Sequence, residues 1–325
     1  IKFISFATIT KIEKTIGISQ SKYWEPEYNK KNISKKEYSG LLADAIKKSV
    51  ELYTSDNKKN GLMLSGGLDA RAILASTNKP MHCYTTAPEE NNEVNVAKLL
   101  AHLKNAEHTF IKRPKNLLNN VLDDSVFLSG GMTVYSEMQF AGYSKYIDKD
   151  VDVIFLGLAL DIMFCGHYLP KKHVSILGRP GLFFKLDNLD KVNLTNYFIE
   201  NISYKLKTSN PYSIVNQKNV NDIKEYLVNS IDEILNEGRS YGAENYDLWE
   251  FMHLHNFSRH YSLLMASSIR TYADCRIPAI ENSLLDLCNS MPVSYKYNWQ
   301  VYQKAIQKLD PNMMNIRNSN NNMNA

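Results

Sequence analysis

At 325 residues, 44% hydrophobic and 22% charged, the chain can bury a large core and is too apolar to remain disordered over most of its length. Its net charge of +4 arises from 38 basic and 34 acidic residues that are interspersed, a balance that points to neither a nucleic-acid nor a membrane surface. The four cysteines, Cys83, Cys165, Cys275 and Cys288, are far apart and form no CxxC pair, which argues against zinc and for a reduced, cytoplasmic setting.

The chain opens without methionine or a signal-like segment, so residue 1 is not taken as a natural start. Residues 1–32 read as a connecting segment, with an apolar start followed by YWEP at Tyr23 to Pro26. Ser34 and Glu37 form a capping-box pattern, and Leu41, Leu42, Ala45, Ile46, Ser49 and Val50 recur at helical spacing behind it. Leu62 to Leu64 is a short apolar run of the kind that fills a buried parallel strand, and Ser65, Gly66 and Gly67 then strip away side-chain bulk for a sharp turn. Asp69 opens a helix over Ala70 to Ser76.

Met81 to Thr86 predicts a second strand, Glu90 to Leu103 a helix, and Glu107 to Lys112 a third strand. Such alternation implies a parallel sheet covered on both faces, with ligands at the carboxyl ends of its strands. His108 is read as structural, since a lone histidine on a strand usually is. Ser129 to Gly131 repeats SGG but has neither a strand before it nor an acid after it, and is taken as a loop before a helix from Ser136 to Ile147. Val151 to Gly166 is the most apolar stretch, but Asp161 interrupts it, so it reads as strand and loop rather than as a membrane span. The strand itself is placed at Asp152 to Gly157. Leu169 to Lys218 reads as irregular, broken by Pro170, Pro180 and Pro211, and helical patterns return from Val220 and over Tyr246 to Ser268.

The chemistry concentrates at residues 61–75. A glycine turn between a buried strand and a helix start offers free amides and a positive dipole end, which is an anion site. A carboxylate beside it would repel a phosphate unless a divalent cation lay between them, so Asp69 suggests magnesium with a nucleotide. Asp161, delivered after a second buried strand, is read as the other metal carboxylate, against the plainer reading in which it only caps a helix.

SGGLD at Ser65 to Asp69 resembles the loop of the N-type ATP pyrophosphatases, and specifically the SGGLDS form of the asparagine synthetase family. Tyr23, Trp24 and Pro26 are similar to an element preceding that family's synthetase domain. The segment from Gly157 resembles its second nucleotide element, GEGADELFGGY, through Gly157, Asp161, Phe164 and Gly166. Tyr272 to Pro292 resembles a third, through Arg276, Pro278, Leu284, Leu287 and Pro292. The resemblance implies an α/β, parallel-sheet adenine-nucleotide alpha-hydrolase-like (Rossmann-like, HUP) fold over residues 33–310, a helical lobe from about residue 220, and an asparagine-rich tail over 311–325. It implies ATP held by Leu64, Ser65, Gly66, Gly67, Asp69, Thr86, Leu156 and Gly157, and Mg2+ held by Asp69 and Asp161. Arg276 is a candidate phosphate or substrate contact, with packing an equal alternative.

The implied reaction is ATP-dependent amide formation through an acyl-adenylate, on aspartate or another small-molecule or peptide carboxylate, with ammonia or an amine. Nitrogen from glutamine would call for a glutaminase domain or an ammonia-donating partner, and these 325 residues hold no such domain. No nucleic-acid or membrane partner is expected. The departures matter as much: Ala70 replaces a phosphate-facing serine, Leu158 and Ile162 replace two glutamates, and Ser319 stands where the family has a catalytic lysine. No catalytic residue is assigned. Two alternatives stay open, a catalytically inactive nucleotide-binding homologue and a tRNA-modifying ATPase of the same loop class.

Overall fold

The computed structural model describes residues 4–15, 17–131, 138–147, 151–166, 168–176, 179–201 and 211–319. Its strands and leading helices run in the order β1 (Thr8–Glu13), β2 (Gly17–Lys22), α1 (Lys35–Tyr53), β3 (Asn60–Met63), α2 (Leu68–Ser76), β4 (Met81–Ala87), α3 (Asn92–Leu103), β5 (Glu107–Lys112), β6 (Val153–Leu156), β7 (Lys171–Ile176), β8 (Arg179–Leu186) and β9 (Asp274–Arg276). The chain divides into two units, Ile1–Asn29 with Tyr168–Asn256, and Lys30–His167 with Phe257–Ala325.

The larger unit is built on a five-stranded parallel sheet in the order β5-β4-β3-β6-β9. From β3 the chain steps outward to β4 and β5, then returns to β3's other side for β6 and β9. The boundary between β3 and β6 is therefore the switch point, where loops leaving adjacent strands part and a crevice opens. Every residue of β3 and β6 is buried, as expected of strands covered on both faces. Met63, Tyr84, Ile154 and Leu156 pack with Ile111, Met138, Tyr143, Leu264 and Ile269 in one core cluster. The alternate residues Leu62, Cys83, Val153 and Phe155 are buried as well.

The expected capping box is present. Ser34 Oγ accepts the Glu37 amide at 3.2 Å, while the Glu37 carboxylate accepts the Ser34 amide at 2.8 Å. The buried stripe of α1 holds Leu42, Ile46, Ser49 and Val50 as expected, but Ala43 takes the place of Leu41, which is exposed.

Two expectations fail locally. The helix expected from Ser136 to Ile147 is not formed: its first two residues lie outside the described ones, and 138–147 run as turns, with Gly142 at φ 74° interrupting any helix there. Nor is the stretch from Leu169 to Lys218 irregular throughout. It holds the antiparallel hairpin β7–β8 and a helix over Leu194–Asn201. Pro170 and Pro180 forbid a helix but are tolerated at the start of a strand and in a two-stranded ribbon, which has only edges. The second SGG is a helix end: Gly130, at φ 59°, caps the C-terminus of Leu122–Ser129, where carbonyls rather than amides are left over.

In the smaller unit β1 and β2 form an antiparallel hairpin within residues 1–32. The helix Val220–Ser240 sends Ile231 and Leu235 into a core with Ala243, Leu248 and Met252. Trp249 donates its indole N–H to the Tyr168 carbonyl at 2.7 Å and meets Tyr197 and Phe198 edge-on. The helix expected over Tyr246 to Ser268 is Tyr246–Met252, a π-helical turn His253–Phe257, and then Ser258–Arg270. No helix among the described residues is long and apolar enough to cross a membrane.

Candidate active site

The carboxyl end of β3 is braced from its neighbours. Leu64 donates its amide to the Tyr84 carbonyl at 2.8 Å, and its own carbonyl accepts the Thr85 hydroxyl at 2.7 Å. Thr85 Oγ1 also meets His108 Nε2 at 2.8 Å. Burial, followed by the neighbouring Lys98 and His82, holds the His108 imidazole below its ordinary pKa. His108 thus buttresses the loop through Thr85. Thr86, the neighbour named from the sequence, is half-buried one residue further along β4.

The Ser65–Gly67 turn closes when Ser65 Oγ accepts the Gly67 amide at 3.2 Å. Gly67 then starts α2 in extended backbone, and no side chain caps the helix, so its first amides are left for another acceptor. Gly157, at the end of β6, lies flat against this helix start: a Cβ there would sit 2.7 Å from Ala70 Cα and 2.8 Å from the Asp69 carbonyl carbon. Only a glycine lets the two segments approach this closely. Ala159 follows in left-handed backbone, φ 73°, where the family element quoted above has a glycine.

This approach brings Asp69 and Asp161 together. Asp69 Oδ2 accepts the Asp161 amide at 3.1 Å, and Asp161 Oδ1 accepts the amide of Ile162 at 2.8 Å. Tyr302, fully buried on the helix Gln300–Leu309, donates its hydroxyl to Asp69 Oδ1 at 2.9 Å. Burial first, and then the facing Asp161, pushes the Asp69 carboxyl well above the usual carboxylate range. Burial, with Asp69 beside it, likewise raises the Tyr302 phenol. A carboxyl pair under such strain is relieved by a proton or by a cation between the two acids.

The donor set fits magnesium. Each Asp69 oxygen accepts only one of the two hydrogen bonds named, which leaves lone pairs for a metal. Among the described residues no cluster of three or more His, Cys, Asp or Glu could hold a metal. Two hard oxygen ligands suit an ion that completes its shell with phosphate and water.

Three side chains complete the picture. Arg71, fully buried on α2, donates from Nη1 to the carbonyls of Met313 and Ile316, both at 2.7 Å, and from Nη2 to those of Gly66 at 3.1 Å and Arg317 at 3.4 Å. Burial lowers its guanidinium to about 10, so it stays charged at neutral pH. Ser319 packs on Gly66, where a Cβ would lie 2.5 Å from Ser319 Cβ and 3.1 Å from Val96 Cγ1. Arg276, named from the sequence, is committed elsewhere, to Asp56 at 2.5 and 3.1 Å and to the Tyr53 carbonyl. Leu158 packs against the core cluster under the sheet.

A cavity of about 920 Å³ opens at the opposite, amino-terminal edge of the sheet, lined by Asn60, Met81 and Glu107 among others, and holds none of these groups. Arg71 and Tyr302 went unnamed from the sequence: an arginine in a short helix reads as surface, and a tyrosine in an amphipathic helix reads as core.

The asparagine synthase family model matches residues 41–308, most of the chain. The chain belongs to the asparagine synthase family. No curated protein matches the sequence. Among solved structures, the NH3-dependent NAD synthetase from Campylobacter jejuni subsp. jejuni is similar at 12% identity, covering 71% of this chain and 97% of its own, with a TM-score of 0.28.

Proposed function

We propose that this asparagine synthase family member activates a carboxylate with ATP and passes the acyl group to ammonia or an amine. The observation that carries the reading is the meeting of Asp69 and Asp161, from loops after adjacent strands, beside a helix start with uncapped amides. ATP would lie across the strand ends, with Leu64, Thr86, Leu156 and Gly157 lining the adenosine side and Ser65 to Asp69 enclosing the phosphates. Mg2+ held by Asp69 and Asp161 would neutralise charge on the pyrophosphate as it departs.

A carboxylate oxygen attacks the α-phosphorus, the bond from that phosphorus to the bridging oxygen breaks, and pyrophosphate leaves. The loop and α2 amides stabilise this leaving group because they are fixed in place before the charge develops. The amine nitrogen then attacks the acyl carbon, AMP departs with the bonding pair of the acyl–oxygen bond, and the nitrogen loses a proton. Leu158, Ile162 and Ser319, where the resemblance puts two glutamates and a lysine, favour a carboxylate other than aspartate. The same three substitutions support a second reading, nucleotide binding without turnover.

The test is pyrophosphate release from MgATP across a panel of carboxylic acids with ammonia, for this chain and for Asp69→Ala and Asp161→Ala. Release with one class of acid, lost in both variants, is expected. Tight MgATP binding without release under any condition would establish the second reading, and absence of MgATP binding would overturn both.

A further inference from the structure

Arg71 is a buried cation whose four acceptors are all main-chain carbonyls, one in the phosphate loop and three in the C-terminal segment. Its Nε–H is buried and has no partner at all. Removing a guanidinium from water costs several kcal/mol even after relaxation, and an apolar side chain of similar volume would pack without that cost. Its four carbonyl partners tie the phosphate loop to the C-terminal segment, a link that an apolar side chain of the same volume would not make.

The fork's geometry shows what that link does. In a trans peptide the C=O and the following N–H point in opposite directions. Arg71 takes the Gly66 carbonyl, so the Gly67 amide is turned to the other side of the loop, where it meets Ser65 Oγ. The same guanidinium holds the carbonyls of Met313, Ile316 and Arg317, and this segment runs on to Ser319, which packs directly on Gly66. Asn92, at the start of α3, adds a contact to the Ser319 carbonyl at 3.4 Å. The loop's outer side is thus a surface formed by the C-terminal segment, with Asn92 and Val96 of α3 beside it.

We propose that Arg71 is a positioning residue of the phosphate site, fixing the Gly66–Gly67 turn that leads into the uncapped amides of α2 and fastening residues 313–319 to the loop as its outer wall. This rests on the nucleotide reading above for the ligand, but the fastening itself does not. A flexible lysine cannot replace the fork, because a single ammonium cannot span four carbonyls in two directions.

The experiment uses the full chain with Arg71→Met and Arg71→Lys, and a chain ending at Met314, which leaves Arg71 intact and removes two of its acceptors. Hydrogen exchange at 313–319 without nucleotide is expected to speed up at least about tenfold in both substitutions, the yield of a lost net hydrogen-bond energy of about 1.4 kcal/mol. By titration calorimetry, MgATP and magnesium pyrophosphate should bind at least about tenfold more weakly in all three chains, while adenosine binds as in the parent. A general folding defect would weaken adenosine and ATP alike. Arg71→Ala should regain MgATP binding on addition of ethylguanidinium.

Unchanged exchange in Arg71→Met would overturn the fastening. Unchanged MgATP affinity in Arg71→Lys, or equal losses for adenosine and ATP, would overturn the positioning role. If Arg71→Met fails to fold, the chain ending at Met314 decides the case by the same ratio of ATP to adenosine affinity. A parent chain that binds no MgATP refutes the nucleotide reading and leaves the fastening to be judged by exchange alone.

Discussion

Removing the Tyr302 hydroxyl tests whether the Asp69 carboxylate is held from the far end of the chain. The bond is 2.9 Å long, its donor is fully buried, and it joins residues 233 positions apart. Removing one partner so that a buried acceptor is left short of a hydrogen bond costs roughly 1–3 kcal/mol. Tyr302→Phe is expected to cost about 2 kcal/mol, because the Asp161 amide still serves the other Asp69 oxygen. In an Asp69→Ala background the same substitution has no acceptor to deprive and should cost less than about 0.5 kcal/mol. The coupling from the two backgrounds is then about 1.5 kcal/mol, read from urea unfolding followed by far-ultraviolet circular dichroism. Equal costs in the two backgrounds would show that Tyr302 contributes packing alone, and the account of how Asp69 is oriented would fall.

Acid should weaken the smaller unit through His253, which burial holds down at about 4. The unfolded chain binds the proton first, so the contribution, about 3 kcal/mol, is complete above about pH 6.5 and is lost as the pH falls towards 4. Comparing urea midpoints at neutral pH and near pH 5, with His253→Phe flattening the difference, checks the sign. Ala159→Gly should stabilise the larger unit by roughly 1 kcal/mol by relieving left-handed backbone at φ 73°, seen as a higher melting temperature. Gly157→Ala should do the reverse, because its Cβ meets unyielding backbone 2.7 Å away; a loss of about 2 kcal/mol or more is expected, together with weaker MgATP binding in a fluorescence titration. Arg276→Met should leave MgATP affinity unchanged, because the arginine side chain is held by Asp56 and the Tyr53 carbonyl; a tenfold loss would restore Arg276 to the phosphate site.

What the sequence revealed follows the strength of local signals. β3, β6 and α1 could be placed because each carries a continuous apolar run or a capping box that depends on nothing distant. The three residues of β9 could not, since Asp274, Cys275 and Arg276 have no strand pattern and are fixed only by pairing with β6. The β7–β8 hairpin was hidden for a similar reason: its prolines and glycine suggest disruption, and a two-stranded ribbon needs no buried face to offset them. At the site, glycines and acids announce themselves by type and spacing. Arg71 and Tyr302 owe their roles to partners at Met313 to Arg317 and at Asp69, which no local window contains.

The division of the chain sets the order in which it can be completed during synthesis. β6 cannot gain its second neighbour until the ribosome has passed the whole of Tyr168–Asn256, and Ile1–Asn29 must wait for that same stretch. Early sheet strands therefore present an open edge while the intervening unit is being made, the circumstance in which strands of separate nascent chains pair with one another. No single cut yields either unit whole, so expression of halves should give aggregates, and a chain in which a short linker joins Ile1–Asn29 directly to Tyr168–Asn256 is the form in which the smaller unit could be obtained alone.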